Sequence, residues 1–213
     1  MTLHSLYKQN RYFFISYFIM VIFAIFILIT YSKADGFILM NPWHPHPLNY
    51  FFIPVTYLGD GIFVIAVALI LFFLKKRFLS LMILSSYALS GIIAQILKYF
   101  IVEARPAIYL EKTNYPYFID DVTLHNLHSF PSGHAASAFA LAAVLSFSMK
   151  NKNYSILFLL IAIFVGYSRI YLGQHFMDDV LAGSVAGVVS AIVCELFLEK
   201  YFRKFSLRNK RRG

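Results

Sequence analysis

Long apolar runs alternate with short polar clusters along the whole chain. The first run, Tyr12 to Tyr31, lies between Arg11 and Lys33 without an intervening charge. As a helix it is long enough to cross about 30 Å of hydrocarbon. Five further runs follow at roughly 51–74, 78–101, 134–149, 154–172 and 179–198. The pattern predicts an all-α fold: an integral membrane bundle of six transmembrane helices, a single domain covering 1–213. A cleavable signal peptide is the rival for the first run, since Lys8 and Arg11 precede it and Ser32-Lys33-Ala34 faintly resembles a cleavage site. Its apolar stretch exceeds the usual 7–15 or so residues, which favours an uncleaved anchor.

The fourth and sixth runs are short, and each begins beside a polar residue, His134 and Asp179. Such helices are expected to start in a protein-lined cavity and not at the lipid boundary. In the sixth, Gly183 and Gly187 form a GxxxG pair beside Ala182, Ser184 and Ala186, which predicts close helix packing.

Composition supports a bilayer setting. The 213 residues are 60% hydrophobic and 14% charged, with mean hydropathy +0.68, against roughly 45–50% apolar for a soluble domain. Net charge is +9, but the basic residues sit between apolar runs and at the C-terminus, which argues topology and not nucleic-acid binding. Six spans would place Lys8, Arg11, Lys75, Lys76, Arg77, Lys150, Lys152 and the basic tail from Lys200 on one side, with both termini. That side is expected to be cytoplasmic. The other side carries Lys33, Arg105, Lys112 and Arg169 with most of the acids, Asp35, Glu103, Glu111, Asp120, Asp121, Asp178 and Asp179. The lone Cys194 excludes an intrachain disulfide and reads as a small core residue.

Ionisable groups near membrane spans are costly and mark functional sites, and here Lys98, Arg105, His134, Arg169, His175 and Asp179 fall on one side. Three cations and two imidazoles suit an anion. Lys98 and Arg105 are seven residues apart, two turns on one face if the helix persists, although Pro106 biases Arg105 out of a helix. Ser132 is a plausible N-cap for the helix opening at Gly133-His134, whose free N–H groups suit a phosphate. Gly133 would permit close backbone approach. Taken alone, this is equally an ordinary cap with an interfacial histidine. His175 and Asp179, four residues apart, could meet on a helix, the carboxylate keeping one ring nitrogen protonated and the other free to attack. Alone, that pair is more commonly a helix-start contact. Arg169 offers a planar fork for two phosphate oxygens.

Together these residues resemble the type 2 phosphatidic acid phosphatase superfamily. Its signature appears in three parts: Lys98, six residues, Arg105-Pro106; Pro131-Ser132-Gly133-His134; and Ser168-Arg169, five residues, His175, three residues, Asp179. Eleven specified residues in the expected order and spacing leave chance a negligible explanation, where any lone piece would be weak. The resemblance implies that Lys98, Arg105 and Arg169 bind phosphoryl oxygens, helped by Ser132 and the Gly133 backbone. It implies that His175 becomes phosphorylated, that Asp179 orients it, and that His134 protonates the leaving oxygen and then activates water. It further implies no metal, no cofactor and a phosphorylated lipid as substrate. The charge asymmetry puts the site on the periplasmic side, and the compact length with no soluble domain suggests a bacterial inner-membrane enzyme. Three cations would supply the charge neutralisation that a metal clamp gives elsewhere.

Other signals are weaker. Trp43-His44-Pro45-His46-Pro47, and His125 and His128 near Asp120 and Asp121, follow no established ligand pattern. Trp43 reads as an interfacial anchor, His125 and His128 as lining the loop that enters the site, and Asp60 as helix-end or pocket structure. A transporter or channel would place charges at several depths, whereas these gather at one face. A phosphotransferase would use the same motifs. The motifs also leave open which lipid is used: undecaprenyl diphosphate, phosphatidylglycerol phosphate, phosphatidic acid or lipid A phosphates.

Overall fold

A computed structural model describes residues 2–111, 115, 116, 118, 119 and 122–210, with side chains through Tyr201. Ten α-helices are present among the described residues: α1 (Leu3–Gln9), α2 (Arg11–Thr30), α3 (Lys33–Met40), α4 (His46–Thr56), α5 (Gly61–Phe73), α6 (Arg77–Phe100), α7 (Pro106–Tyr109), α8 (Gly133–Ser148), α9 (Tyr154–Tyr171) and α10 (Met177–Lys210). The only β pairing among them is an isolated antiparallel bridge between Ala104 and Leu127. The expected Lys112, Asp120 and Asp121 lie outside the described residues, as do the side chains of the tail beyond Tyr201.

Helices α2, α6, α9 and α10 are each long and apolar enough to cross a bilayer, and α4 with α5 makes a fifth candidate if that bent pair is one span. The surface of α2 shows why water is not its solvent. Phe13, Phe14, Tyr17, Ala24 and Ile27 are buried while Ile19, Ile22, Phe26 and Ile29 are exposed, Ile29 at 81%. A helix that is apolar all round with half its surface bare fits lipid contact.

The expected fourth span is the 16-residue α8, about 24 Å long at 1.5 Å per residue. Its shortness is accommodated because it is the central helix. Every residue from Ala135 to Val144 is buried, and it packs against α5, α6, α9 and α10. Small side chains allow this. A Cβ at Gly183 would collide with Ser132 O and one at Gly187 with Ala136 O, so the GxxxG face of α10 lies directly on the α8 backbone.

Three local expectations change. The second run is not one straight helix over 51–74: helix begins at His46, breaks at a 3-10 turn (Tyr57–Gly59), and resumes at Gly61 with a 60° bend. Pro54 inside α4 withholds a backbone donor. A Cβ at Gly59 would collide with the Val165 side chain and the His134 carbonyl. Asp60 restarts the helix by accepting from Ile62 N at 2.7 Å. Second, α6 stops at Phe100, so Lys98 and Arg105 do not share a helix face. Arg105 is extended (φ −80°, ψ 164°) ahead of Pro106. Third, α10 starts at Met177, so His175 precedes the helix that contains Asp179.

The ends of the bundle differ in charge. Lys152 Nζ donates to Asn10 Oδ1 at 2.7 Å, tying the α8–α9 turn to the α1–α2 junction. Lys75, Lys76, Arg77, Ser148 and Glu195 line one cleft at that end.

Candidate active site

At the opposite end, residues 103–105 and 126–129 run side by side and fix the first two cations. Arg105 N donates to Asn126 O at 2.9 Å and Ser129 N to Glu103 O at 3.1 Å, on either side of the Ala104–Leu127 bridge. Lys98 Nζ donates to His128 O at 2.6 Å, and Arg105 Nε to Leu127 O at 3.1 Å. Arg105 Nη1 also reaches Gln174 O and Oε1, at 3.2 and 3.1 Å. Lys98 and Arg105 thus come together through this pairing in place of helical periodicity. His128 takes the left-handed backbone region (φ 57°) and its Nδ1 lies 3.2 Å from Lys98 O, so it braces the loop.

Ser132 caps α8 as expected, accepting from Ala135 N at 3.4 Å. In contrast to Gly59, Gly183 and Gly187, a Cβ at Gly133 would meet no atom of another segment within 4 Å among the described residues. Gly133 is therefore not needed for helix packing, and its surroundings leave room beside the helix start. His134 follows in the first turn, half-buried, with Nε2 4.0 Å from Asp60 Oδ2.

The spacing of the third motif has a backbone cause. Arg169 lies in the last turn of α9, and its carbonyl accepts from both Gln174 N (2.9 Å) and His175 N (3.1 Å). Gly173 makes the reversal at φ +66°. The turn folds His175 back beside Arg169. Arg169 is buried and its Nη1 donates to Thr56 Oγ1 at 2.7 Å. Its buried Nε has no protein partner among the described residues, which leaves that edge of the guanidinium for a ligand oxygen.

His175 and Asp179 are both buried, with Nδ1 3.4 Å from Oδ2. The same Oδ2 accepts from Phe176 N at 2.8 Å, capping α10, and from the Ser129 hydroxyl. Asp179 O accepts from Ser132 N at 2.9 Å, so the starts of α8 and α10 are joined. Burial, then the positive charges of Arg169, Arg105 and Lys98, hold the His175 imidazole well below its ordinary pKa. The ring is neutral at physiological pH, the form with a lone pair to donate.

The structure brings together Lys98, Arg105, Ser132, Gly133, His134, Arg169, His175 and Asp179. It adds Thr56, Ser129 and Gln174, which no spacing rule marks because each acts through a contact distant in sequence. It also adds a carboxylate cluster, Glu103, Asp178 and Asp179, with one oxygen from each within 4.8 Å of the others. Lys33 Nζ pairs with Glu103 and, at 2.8 Å, with Asp178, so a lysine ammonium compensates that charge. His44 stacks on Tyr171 at 4.2 Å and its Nε2 meets Tyr171 O at 2.9 Å, a packing role.

The chain as a whole is similar to known proteins. The chain is 29% identical over 185 residues to phosphatidylglycerophosphatase B of Bacillus subtilis, covering 81% of this chain and 83% of the relative. It is 30% identical over 139 residues to an undecaprenyl-diphosphatase of Sulfolobus acidocaldarius, covering 65% of this chain and 59% of that one. The crystal structure of Aquifex aeolicus LpxE superposes with a TM-score of 0.65 at 30% identity, covering 78% of this chain and 97% of that chain. That of a transmembrane PAP2-type phosphatidylglycerolphosphate phosphatase from Bacillus subtilis gives 0.63 at 24% identity, over 90% and 96%, a likeness of fold. Residues 79–203, more than half the chain and including every motif residue, match the PAP2 superfamily, and the chain belongs to that superfamily.

Proposed function

We propose that the protein is a membrane lipid phosphatase that hydrolyses a phosphomonoester or pyrophosphate through a phosphohistidine on His175, without a metal. The carrying observation is the buried His175, folded back onto the Arg169 carbonyl with its Nδ1 3.4 Å from Asp179 Oδ2. Relatives named as phosphatidylglycerophosphatase, lipid A 1-phosphatase and undecaprenyl-diphosphatase support a lipid substrate.

In this mechanism the three cations bind the phosphoryl oxygens with the Ser132 hydroxyl and the Gly133 N–H. Asp179 keeps the proton on Nδ1 of His175, and Nε2 attacks phosphorus. His134 gives a proton to the departing oxygen as the P–O bond breaks. His134 then takes a proton from water, whose oxygen attacks phosphorus and breaks the N–P bond. The positive groups stabilise charge on the transferring phosphoryl throughout.

The reading extends to topology: six spans, both termini and the basic cleft at Lys75–Arg77 cytoplasmic, the site periplasmic in a bacterial inner membrane. The site's position at the end away from the lysine-rich turns supports it.

The test is turnover by purified protein of undecaprenyl diphosphate, phosphatidylglycerol phosphate, phosphatidic acid and lipid A phosphates, with and without chelator. Phosphate release from at least one substrate, unchanged in chelator, is expected. Loss of turnover in chelator, restored by one divalent ion with the protein still folded, would overturn the metal-free mechanism.

A further inference from the structure

The break in the second apolar run supplies three groups to the site. Thr56 accepts from Arg169, Gly59 O accepts from the Ser137 hydroxyl one turn beyond His134, and Asp60 Oδ2 lies 4.0 Å from His134 Nε2. Because Gly59 touches the His134 carbonyl so closely that no Cβ fits, the height of Asp60 against the ring is fixed by backbone packing. Asp60 Oδ1 is committed to Ile62 N, which leaves Oδ2 facing His134. The charged and titratable groups around the ring are Asp60 from the break, Arg169 from α9 and Arg105 from the extended segment, with His175 beyond. Asp60 is the carboxylate among them, since Asp179 is turned to His175. No described residue hydrogen-bonds to Nδ1 of His134.

We propose that Asp60 is a positioning residue for His134, holding Nε2–H so that Nδ1 faces the phosphate and serves as proton donor and then as proton acceptor. The role rests on the phosphatase reading above. In the first step the Nδ1 proton moves to the departing alkyl oxygen as the P–O bond breaks and the His175 N–P bond forms. His134 is left neutral, Nε2–H still on Asp60. In the second step water gives its proton to Nδ1 as its oxygen bonds to phosphorus and the N–P bond breaks, regenerating the imidazolium. The Asp60 carboxylate stabilises the imidazolium at both stages, the work a carboxylate does for a general acid–base histidine.

Asp60→Asn and Asp60→Ser keep an N-cap acceptor for α5 while removing the charge, so they separate the cap from the proposed role. Phosphoenzyme formation is followed in single turnovers with an alkyl phosphate lipid and with an aryl phosphate whose leaving group needs no acid. Both variants should slow the alkyl substrate about 10–100-fold and leave the aryl substrate within about threefold. The limb of the pH profile set by protonated His134 should move down by about one pH unit, and nitrogen NMR of the labelled ring should show the same displacement without substrate. Equal slowing of both substrates with an unmoved pH limb would show a structural cap and overturn the role. Unchanged rates on both would overturn it too. Absence of turnover by the unsubstituted protein on every lipid would instead remove the phosphatase reading itself.

Discussion

His175 Nδ1 lies 3.4 Å from Asp179 Oδ2, although the histidine sits outside the helix that carries the aspartate. The contact depends on two backbone devices: the fold-back of His175 onto Arg169 O, and the capping of Phe176 N by the same carboxylate oxygen. One carboxylate oxygen of Asp179 thereby caps the start of α10 and lies beside the His175 ring.

The two histidines should separate by step. His175→Ala should abolish the acid-labile phosphoenzyme. His134→Ala should slow its formation from a lipid phosphate but accumulate it from an activated aryl phosphate, where departure needs little acid help while water attack still lacks a base. Rapid-quench trapping reads both. Normal phosphoenzyme in His175→Ala, with none in His134→Ala, would reverse the assignment.

Ser129→Ala removes one of two hydrogen bonds that hold Asp179 Oδ2. A hydrogen bond to a charged group contributes about 1.5–3 kcal/mol, so kcat should fall roughly 10–100-fold with little change in KM. A rise in KM with unchanged kcat would place Ser129 in substrate binding instead.

The acid limb belonging to His175 should lie below that of a free imidazole. The attacking form is the neutral one, present above the pKa, and burial with the neighbouring cations lowers that pKa. Activity should therefore persist as pH falls through about 6.5, and the ring should charge only at lower pH. The check is the pH dependence of phosphoenzyme formation from an aryl phosphate, corrected for substrate ionisation. A limb from His175 at or above about 6.5 would contradict this.

Reporters placed after Arg77 or Lys152 should be cytoplasmic, and one between His125 and Leu127 should be outside. Protease protection of the 122–127 segment in right-side-out vesicles, with accessibility controls in place, would reverse the proposed sidedness.

Gly183 and Gly187 illustrate what was legible in sequence. Small residues at helical spacing within an apolar run predict close approach, and these two lie directly on the α8 backbone. Helix identity was equally plain, because a stretch without charge has few alternatives in a bilayer. The site residues were legible as residue types at fixed intervals. Part of that spacing was local: Arg169 to His175 is a helix end plus one left-handed Gly173 turn. Lys98 and Arg105 would share a helix face only if the helix persisted past Pro106; instead both are held by the 126–129 segment, more than 20 residues away in sequence. The 60° break at Tyr57–Asp60 was hidden too, since an apolar run reads alike straight or bent. What the sequence by itself determined was which segments form long apolar helices and which ionisable residue types stand at fixed intervals, because hydropathy and residue type belong to single positions and short intervals. Only the tertiary structure decided that Thr56, Ser129 and Gln174 hydrogen-bond to Arg169, Asp179 and Arg105 and that Asp60 lies 4.0 Å from His134, because such contacts depend on distances of 3–4 Å between chain segments that no local pattern encodes.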